Sequence, residues 1–301
     1  MREVARREAL LADLALVGVT AVWGSTFIVN RLVLDSAPPL AFLALRFGVA
    51  TAVLLPLAVG RPRSPRLLAD SAFVGLLLAA GIGFQIVGQL FTTASKAAFV
   101  TGLSVPLTPV VGLIVTRKKP SAENMVGLVI ATIGFAVLSW PTDAAGVNVG
   151  DVLVLGTAVT YALIIVRMGE AASRHDVRWF TAGQTAFAAV GVIGARLLVA
   201  PLVKPMSTFA QAEARPLPWS GGFLAAVAWM ALIATVATFL VQTWAQARMQ
   251  ATHAAILFAL EPVWTALFAA LILSERMRGR DYAGAGLVLA GILVSELRRN
   301  A

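Results

Sequence analysis

An internal copy restricts this chain more than any other feature of its sequence. Gln89 is followed six residues on by Ser95, Lys96, Ala97 and Ala98, and Gln246 at the same interval by Thr252, His253, Ala254 and Ala255. A second glutamine stands four residues before each, Gln85 and Gln242. Both stretches then reach a proline inside an apolar run, Pro106 and Pro262. Each ends on two glycines one heptad apart, Gly127 and Gly134 against Gly284 and Gly291. So many matches in one register are a duplication. It extends upstream, where Asp13 to Gly18 aligns with Asp151 to Gly156. The unit far exceeds the roughly 20 to 50 residues of a solenoid repeat, so a domain was duplicated. The copies divide the chain into 1–140 and 141–301, within one membrane domain.

Hydrophobic residues make up 59% of the chain and charged residues 13%, with mean hydropathy +0.85. A soluble domain of that make-up would expose large apolar patches. Apolar runs of about 20 residues, the length that crosses a bilayer, follow one another near Leu11–Asn30, Leu40–Val59, Ser71–Thr93, Ala97–Thr116, Asn124–Trp140, Asp151–Met168, Thr181–Pro201, Gly222–Ala247, Thr252–Leu273 and Tyr282–Leu297. That is five per copy, the fifth and tenth being short. An odd number makes the second copy enter the membrane from the opposite side. The expected fold is therefore all-α integral membrane, ten transmembrane helices as two inverted five-helix repeats, with a substrate site near mid-membrane between them.

The net charge of +9 is spread over short clusters between apolar runs, which points to topology signals and not to nucleic acid. The N-terminus, the even-numbered loops and the C-terminus, with Arg167 at the very end of the sixth run, carry 15 of the 24 Lys and Arg, and the odd-numbered loops seven. Both termini are thus expected in the cytoplasm. Arg276, Arg278 and Arg280, after the ninth run, go against this count. The basic start, Met1 to Glu8, leads into a long apolar run without a small-residue cleavage site and reads as a retained first span. The connection from Leu202 to Gly221 is expected on the surface. There is no cysteine, so disulfides and thiol chemistry are excluded.

Several stretches together resemble the drug/metabolite transporter superfamily, in its ten-helix EamA-type branch. These are Trp23-Gly24-Ser25-Thr26-Phe27 in the first run, Leu45-Arg46-Phe47 in the second, and Glu261-Pro262-Val263, Glu275, Gly284 and Gly291 through the last two. The resemblance implies a carrier of small organic metabolites, often an exporter of amino acids, with exporters of aromatic and other amino acids looking nearest. It implies alternating access around a central cavity, an inner-membrane location and no cofactor. In the first copy Lys119 stands where Glu275 does in the second, and Val105 precedes Pro106 where Glu261 precedes Pro262. A role needing paired carboxylates is not supported.

Candidate substrate-binding residues are Trp23, Ser25, Thr26, Gln85, Gln89, Tyr161, Gln242, Gln246, Glu261 and Trp264. Gln85 with Gln89, and Gln242 with Gln246, share a helix face. Their amides belong against protein or a wet cavity, as interhelical glue or as pathway lining. Glu261 falls near mid-span, where an ionised carboxylate is costly, so it is paired, protonated, wet or bound to a substrate ammonium or coupling proton. Pro106 and Pro262 are expected to bend their helices as hinges or as static kinks. Arg46 attracts an anionic group or snorkels outward. Trp23, Trp264 and Tyr161 are core packing or a stacking surface for flat substrates. Asp13 and Asp151 are read as helix-start carboxylates and His253 as interfacial.

No catalytic or metal-binding set is assigned. The partners are the lipid bilayer and a small-molecule substrate, and a monomer satisfies them. A multidrug or cation efflux carrier is the nearest alternative. An intramembrane enzyme lacks a clustered catalytic set, there being only His175 and His253 with no His-Glu-x-x-His pattern. A scaffold has no need of duplicated polar pairs. No nucleotide-binding P-loop occurs, so transport is secondary.

Overall fold

A computed structural model describes residues 2–92, 94–117, 119–139, 147–198, 200–202, 207–272 and 279–296. Trp140, Pro141, Glu275, Arg276 and Arg278 lie outside the described residues, as does the side chain of Lys96. Among the described residues all regular structure is helical: α1 Arg2–Leu34, α2 Pro39–Ala58, α3 Leu67–Gly88, α4 Ala94–Gly102, α5 Ser104–Thr116, α6 Ala122–Ser139, α7 Val149–Ala172 and α8 Val177–Leu198. Then follow α9 Thr208–Glu213, α10 Gly221–Ala228, a π-helical segment Trp229–Ala237, α11 Thr238–Gln246, α12 Ala251–Phe258, α13 Glu261–Ile272 and α14 Gly279–Glu296.

Among the described residues eight helical stretches are long and apolar enough to cross a membrane. Two shorter apolar helices, Ala122–Val137 and Tyr282–Ser295, fall where the fifth and tenth runs were expected. Burial differs from that of a soluble protein in that large apolar side chains also cover the outside and many polar ones lie within. Leu55, Phe73, Ile114, Val129, Leu155, Ile193 and Leu293 are exposed, while Asn30, Arg46, Gln85, Gln184, Gln242 and Thr243 are buried. In hydrocarbon the outer surface must be apolar, and polar groups find partners only inside. The chain is an integral membrane protein.

Two runs read as continuous are broken, and at matching places. The fourth stops at Gly102 and restarts at Ser104; the ninth stops at Phe258 and restarts at Glu261. Leu103 and Leu260, in the breaks, are separated by the 157-residue offset that also relates Gln85 to Gln242. Each restarted helix carries its proline in the first turn, where the missing N–H does least harm.

Contacts between the two halves come in exchanged pairs. α3 packs on α7 as α1 packs on the 221–246 stretch; α3 meets α8 as α2 meets that stretch; α4 and α5 lie on α7 as α12 and α13 lie on α1. α6 and α14 pair with one another. A Cβ on Gly127 would come within 2.5 Å of the Gly291 carbonyl oxygen, and one on Gly134 within 2.7 Å of that of Gly284. The repeat's marker glycines therefore let two backbones touch. The register rises along α6 as it falls along α14, so the two run in opposite directions. α2 and α8 are also antiparallel. Arg178, at the start of α8, donates to the Leu57 carbonyl near the end of α2, while Arg196, at the other end, shares Glu213 with the Leu40 N–H.

Three sequence expectations change here. The 202–221 connection is docked in part: Glu213 is buried, accepts from the Leu40 N–H at 2.9 Å and pairs with Arg196 at 2.7 Å, capping α2 from outside the helix. Asp13 does not start a helix, because α1 continues back to Arg2. It is buried and accepts from His253 Nε2 at 3.1 Å, so His253 is buried rather than interfacial. Asp151 does sit at a helix start, closing a capping box with Asn148.

Candidate functional site: a cavity at the broken helices

A cavity of about 80 Å³ opens where the two breaks meet the remaining helices. That measures the space open to the centres of water-sized spheres, so it holds several waters or a small organic molecule. Its wall draws on α1 to α6 from one half and on α7, α11, α12 and α13 from the other. Gly102, Ser104 and Val105 come from the first break, and Phe258, Ala259, Glu261 and Pro262 from the second. Proline denies the Gly102 and Phe258 carbonyls their usual i+4 partners. α5 and α13 also turn their positive N-terminal ends towards this region, and α4 and α12 their negative C-terminal ends. The breaks thus supply polar backbone at depth, where irregular chain is tolerated only beside a cavity.

Of the expected site residues, Trp23, Thr26, Gln85, Tyr161, Gln242, Glu261 and Pro262 line this cavity. The glutamine pairs divide. Gln85, which donates to Thr101 Oγ1 at 3.3 Å, and its counterpart Gln242 face the cavity. Gln89 and Gln246 are buried one turn farther on, where the Gln246 amide donates to the Ile165 carbonyl at 3.4 Å. All four amides are buried, and the first glutamine of each pair lines the cavity. Ser25 does not line the cavity; it donates to the Val22 carbonyl and accepts from Trp229 Nε1. Trp264 donates to Thr20 Oγ1, and its Cβ lies where a side chain on Gly24 would go. Pro106 sits in the first turn of α5 behind the lining.

Sequence reasoning missed part of the wall. Phe239, Phe258 and Phe135 line it, and Trp23 meets Phe258 at 5.5 Å and Phe239 edge-on at 6.1 Å between ring centroids. No apolar periodicity tells these phenylalanines from core ones. Arg46 does not snorkel. It is 5% exposed, lines the cavity, and donates through Nε to Thr235 Oγ1 at 2.7 Å and through Nη2 to the Ala234 carbonyl at 3.2 Å. Both acceptors lie in the π-helical segment, whose wide turn lets Thr235 Oγ1 donate to the Met230 carbonyl five residues back. Among the described residues Arg46 has no carboxylate within salt-bridge distance, and no donor reaches the half-buried Glu261 carboxylate.

A further cluster lies away from the cavity. His175 bridges Ser64, through Nδ1, and Asp70, through Nε2 at 2.7 Å, and Arg174 reaches Asp70 at 3.3 Å. Residues Ser, His and Asp in a row suggest a hydrolase, but the ring nitrogens are used the opposite way round from the serine-protease triad. The row ties the connection before α3 to the one before α8.

The model of the EamA-like transporter family matches twice, over residues 10–140 and 148–297. An uncharacterized transporter of Archaeoglobus fulgidus is 30% identical over 289 residues, 96% of this chain and 87% of that protein. The uncharacterized inner membrane transporter YedA of Escherichia coli is 29% identical over 74% of this chain and 70% of its own length. A solved crystal structure superposes at TM-score 0.75 over 95% of this chain and 96% of its own, with 18% identity, which shows a shared fold. With two family matches covering both halves and a relative aligned almost end to end, the chain belongs to the EamA-like transporter family and is a membrane transporter, not an enzyme.

Proposed function

We propose that this protein is a secondary carrier that exports amino acids, apolar or aromatic ones above all, from the cytoplasm by alternating access. The two halves act as inverted five-helix repeats, and both termini face the cytoplasm. The observation that carries the reading is the cavity at the seam, walled by both halves and centred on helix breaks at equivalent positions. Interrupted helices in corresponding places of two repeats are the best sequence-level pointer to a carrier's binding site. Antiparallel packing of α2 on α8 and of α6 on α14 supports inversion, because a two-fold axis in the membrane plane sets counterpart helices in opposite directions. Pro106 and Pro262 serve as the hinges about which the half-helices move.

A cation efflux carrier would use the same Glu261 and the same aromatic wall. Arg46 in that wall disfavours it, since an organic cation gains nothing beside a guanidinium. The test is counterflow: liposomes holding the purified protein and loaded with unlabelled L-phenylalanine should accumulate labelled L-phenylalanine transiently. Accumulation no greater than in protein-free liposomes for phenylalanine, leucine and lipophilic cations alike would dismiss the carrier reading.

A further inference from the structure

Two ionisable side chains, one basic and one acidic, open on one cavity, and neither bonds the other. Arg46, on α2, is held at Nε and Nη2 by neutral acceptors of the π-helical segment, which leaves Nη1 without a bond. Glu261, at the first turn of α13, has no partner for its carboxylate among the described residues. The two are farther apart than salt-bridge distance, and the Tyr161 phenol is within electrostatic reach of both. Removing a charge from water without a counter-ion is strongly unfavourable. An arrangement that keeps two such groups apart, inside the protein and facing one space, suits a ligand that bonds both.

Resting on the carrier reading, we propose that Arg46 and Glu261 form a split clamp for a zwitterion: Arg46 takes the ligand carboxylate, Glu261 takes its ammonium, and Trp23, Phe239 and Phe258 enclose the ligand side chain. Thr235 is the positioning residue. Its hydroxyl donates to the Met230 carbonyl and accepts from Arg46 Nε, so the guanidinium is fixed before the ligand arrives. The clamp selects for both charges together. A ligand with only an ammonium leaves Arg46 uncompensated, and one with only a carboxylate leaves Glu261 so. Sites built for a polar group reject analogues that lack it far more strongly than they resolve apolar differences.

Equilibrium binding to the purified full chain in detergent, read by calorimetry, tests the clamp separately from transport. L-phenylalanine is compared with phenethylamine, which lacks the carboxylate, and 3-phenylpropionate, which lacks the ammonium. In the unmodified protein phenylalanine should bind about a hundredfold more tightly than either. Arg46→Gln should weaken phenylalanine by about that factor while leaving phenethylamine nearly unchanged, and Glu261→Gln should do the same with respect to 3-phenylpropionate. Thr235→Val should lower the preference for phenylalanine over phenethylamine by about tenfold, and Thr235→Ser, which keeps the hydroxyl, should restore it.

Equal affinity for all three compounds in the unmodified protein overturns the clamp even if every variant fails to fold. So does phenylalanine binding that is absent or indifferent to Arg46→Gln in a monodisperse sample. Discrimination in binding without counterflow would keep the clamp and remove the carrier reading. Counterflow of lipophilic cations without discrimination would do the reverse.

Discussion

At the scale of single residues, the side chains that matter most are those whose burial has no apolar excuse. Glu261 was legible because a carboxylate in an apolar run demands an explanation. Arg46 was legible only as an ambiguity, since the anchor that settles it, Thr235, is 189 residues away. Ser25 and Thr26 were chosen by resemblance, and the structure separates them: Thr26 lines the cavity, whereas Ser25 bonds to the Trp229 indole. Gly24 has a plain packing role. A Cβ there would lie 2.8 Å from Trp264 Cβ and 3.0 Å from the Thr265 nitrogen, so α1 and α13 can meet only at a glycine. Gly24→Val should cost about 1–3 kcal/mol or more. Gly18→Ala on the same helix, with nothing within 4 Å of its new atom, should be neutral or slightly stabilising. Thermal midpoints of the two variants in one detergent check this, and equal midpoints would contradict the packing account.

At the scale of elements, the apolar runs located the helices well because twenty consecutive apolar residues admit few other structures in a bilayer. What the runs concealed was the interior punctuation. Proline at 106 and 262 announced a bend, and the breaks themselves fall two to three residues upstream, at Leu103 and Ala259-Leu260, because each proline withholds an N–H from the Gly102 or Phe258 carbonyl. The π-helical segment is silent in sequence, because its five-residue hydrogen bond answers to Arg46 on another helix. If the proline breaks serve motion, Pro262→Ala should leave the protein folded with an unchanged or raised thermal midpoint, yet lower turnover in counterflow by about tenfold. Unchanged turnover would make the break a static kink. The α6–α14 seam gives a contrasting expectation. Gly127→Leu should destabilise the protein outright, since the Gly291 carbonyl stands 2.5 Å from the new atom and backbone cannot move aside as a side chain can.

For the whole molecule, the duplication foretold most of the architecture, and the exchanged contacts between halves are what a copied unit would produce. The docking of the 202–221 connection and the buried pairing of Asp13 with His253 were not foretold, because both depend on residues far apart in the chain that no local pattern links. Access to the cavity can be measured cleanly, because the chain contains no cysteine of its own. A single cysteine at Thr26 or Thr101 should react with a membrane-impermeant maleimide from either side of the membrane in turn, and saturating substrate should change the balance between the two sides. Labelling from one side only, under every condition, would argue against alternating access.

The breaks at Leu103 and Leu260 are shared by the two copies, whereas the ionic groups are not: Glu261 belongs to one half and Arg46 to the other, each without a like-charged twin at the equivalent place. Bending is thus inherited twice over, while recognition is written once, on a handful of wall positions. Evolution can re-address such a machine by rewriting its label and leaving its gears alone. Relatives that keep the paired interruptions but differ at positions 46 and 261 would then perform the same stroke on cargo of a different charge.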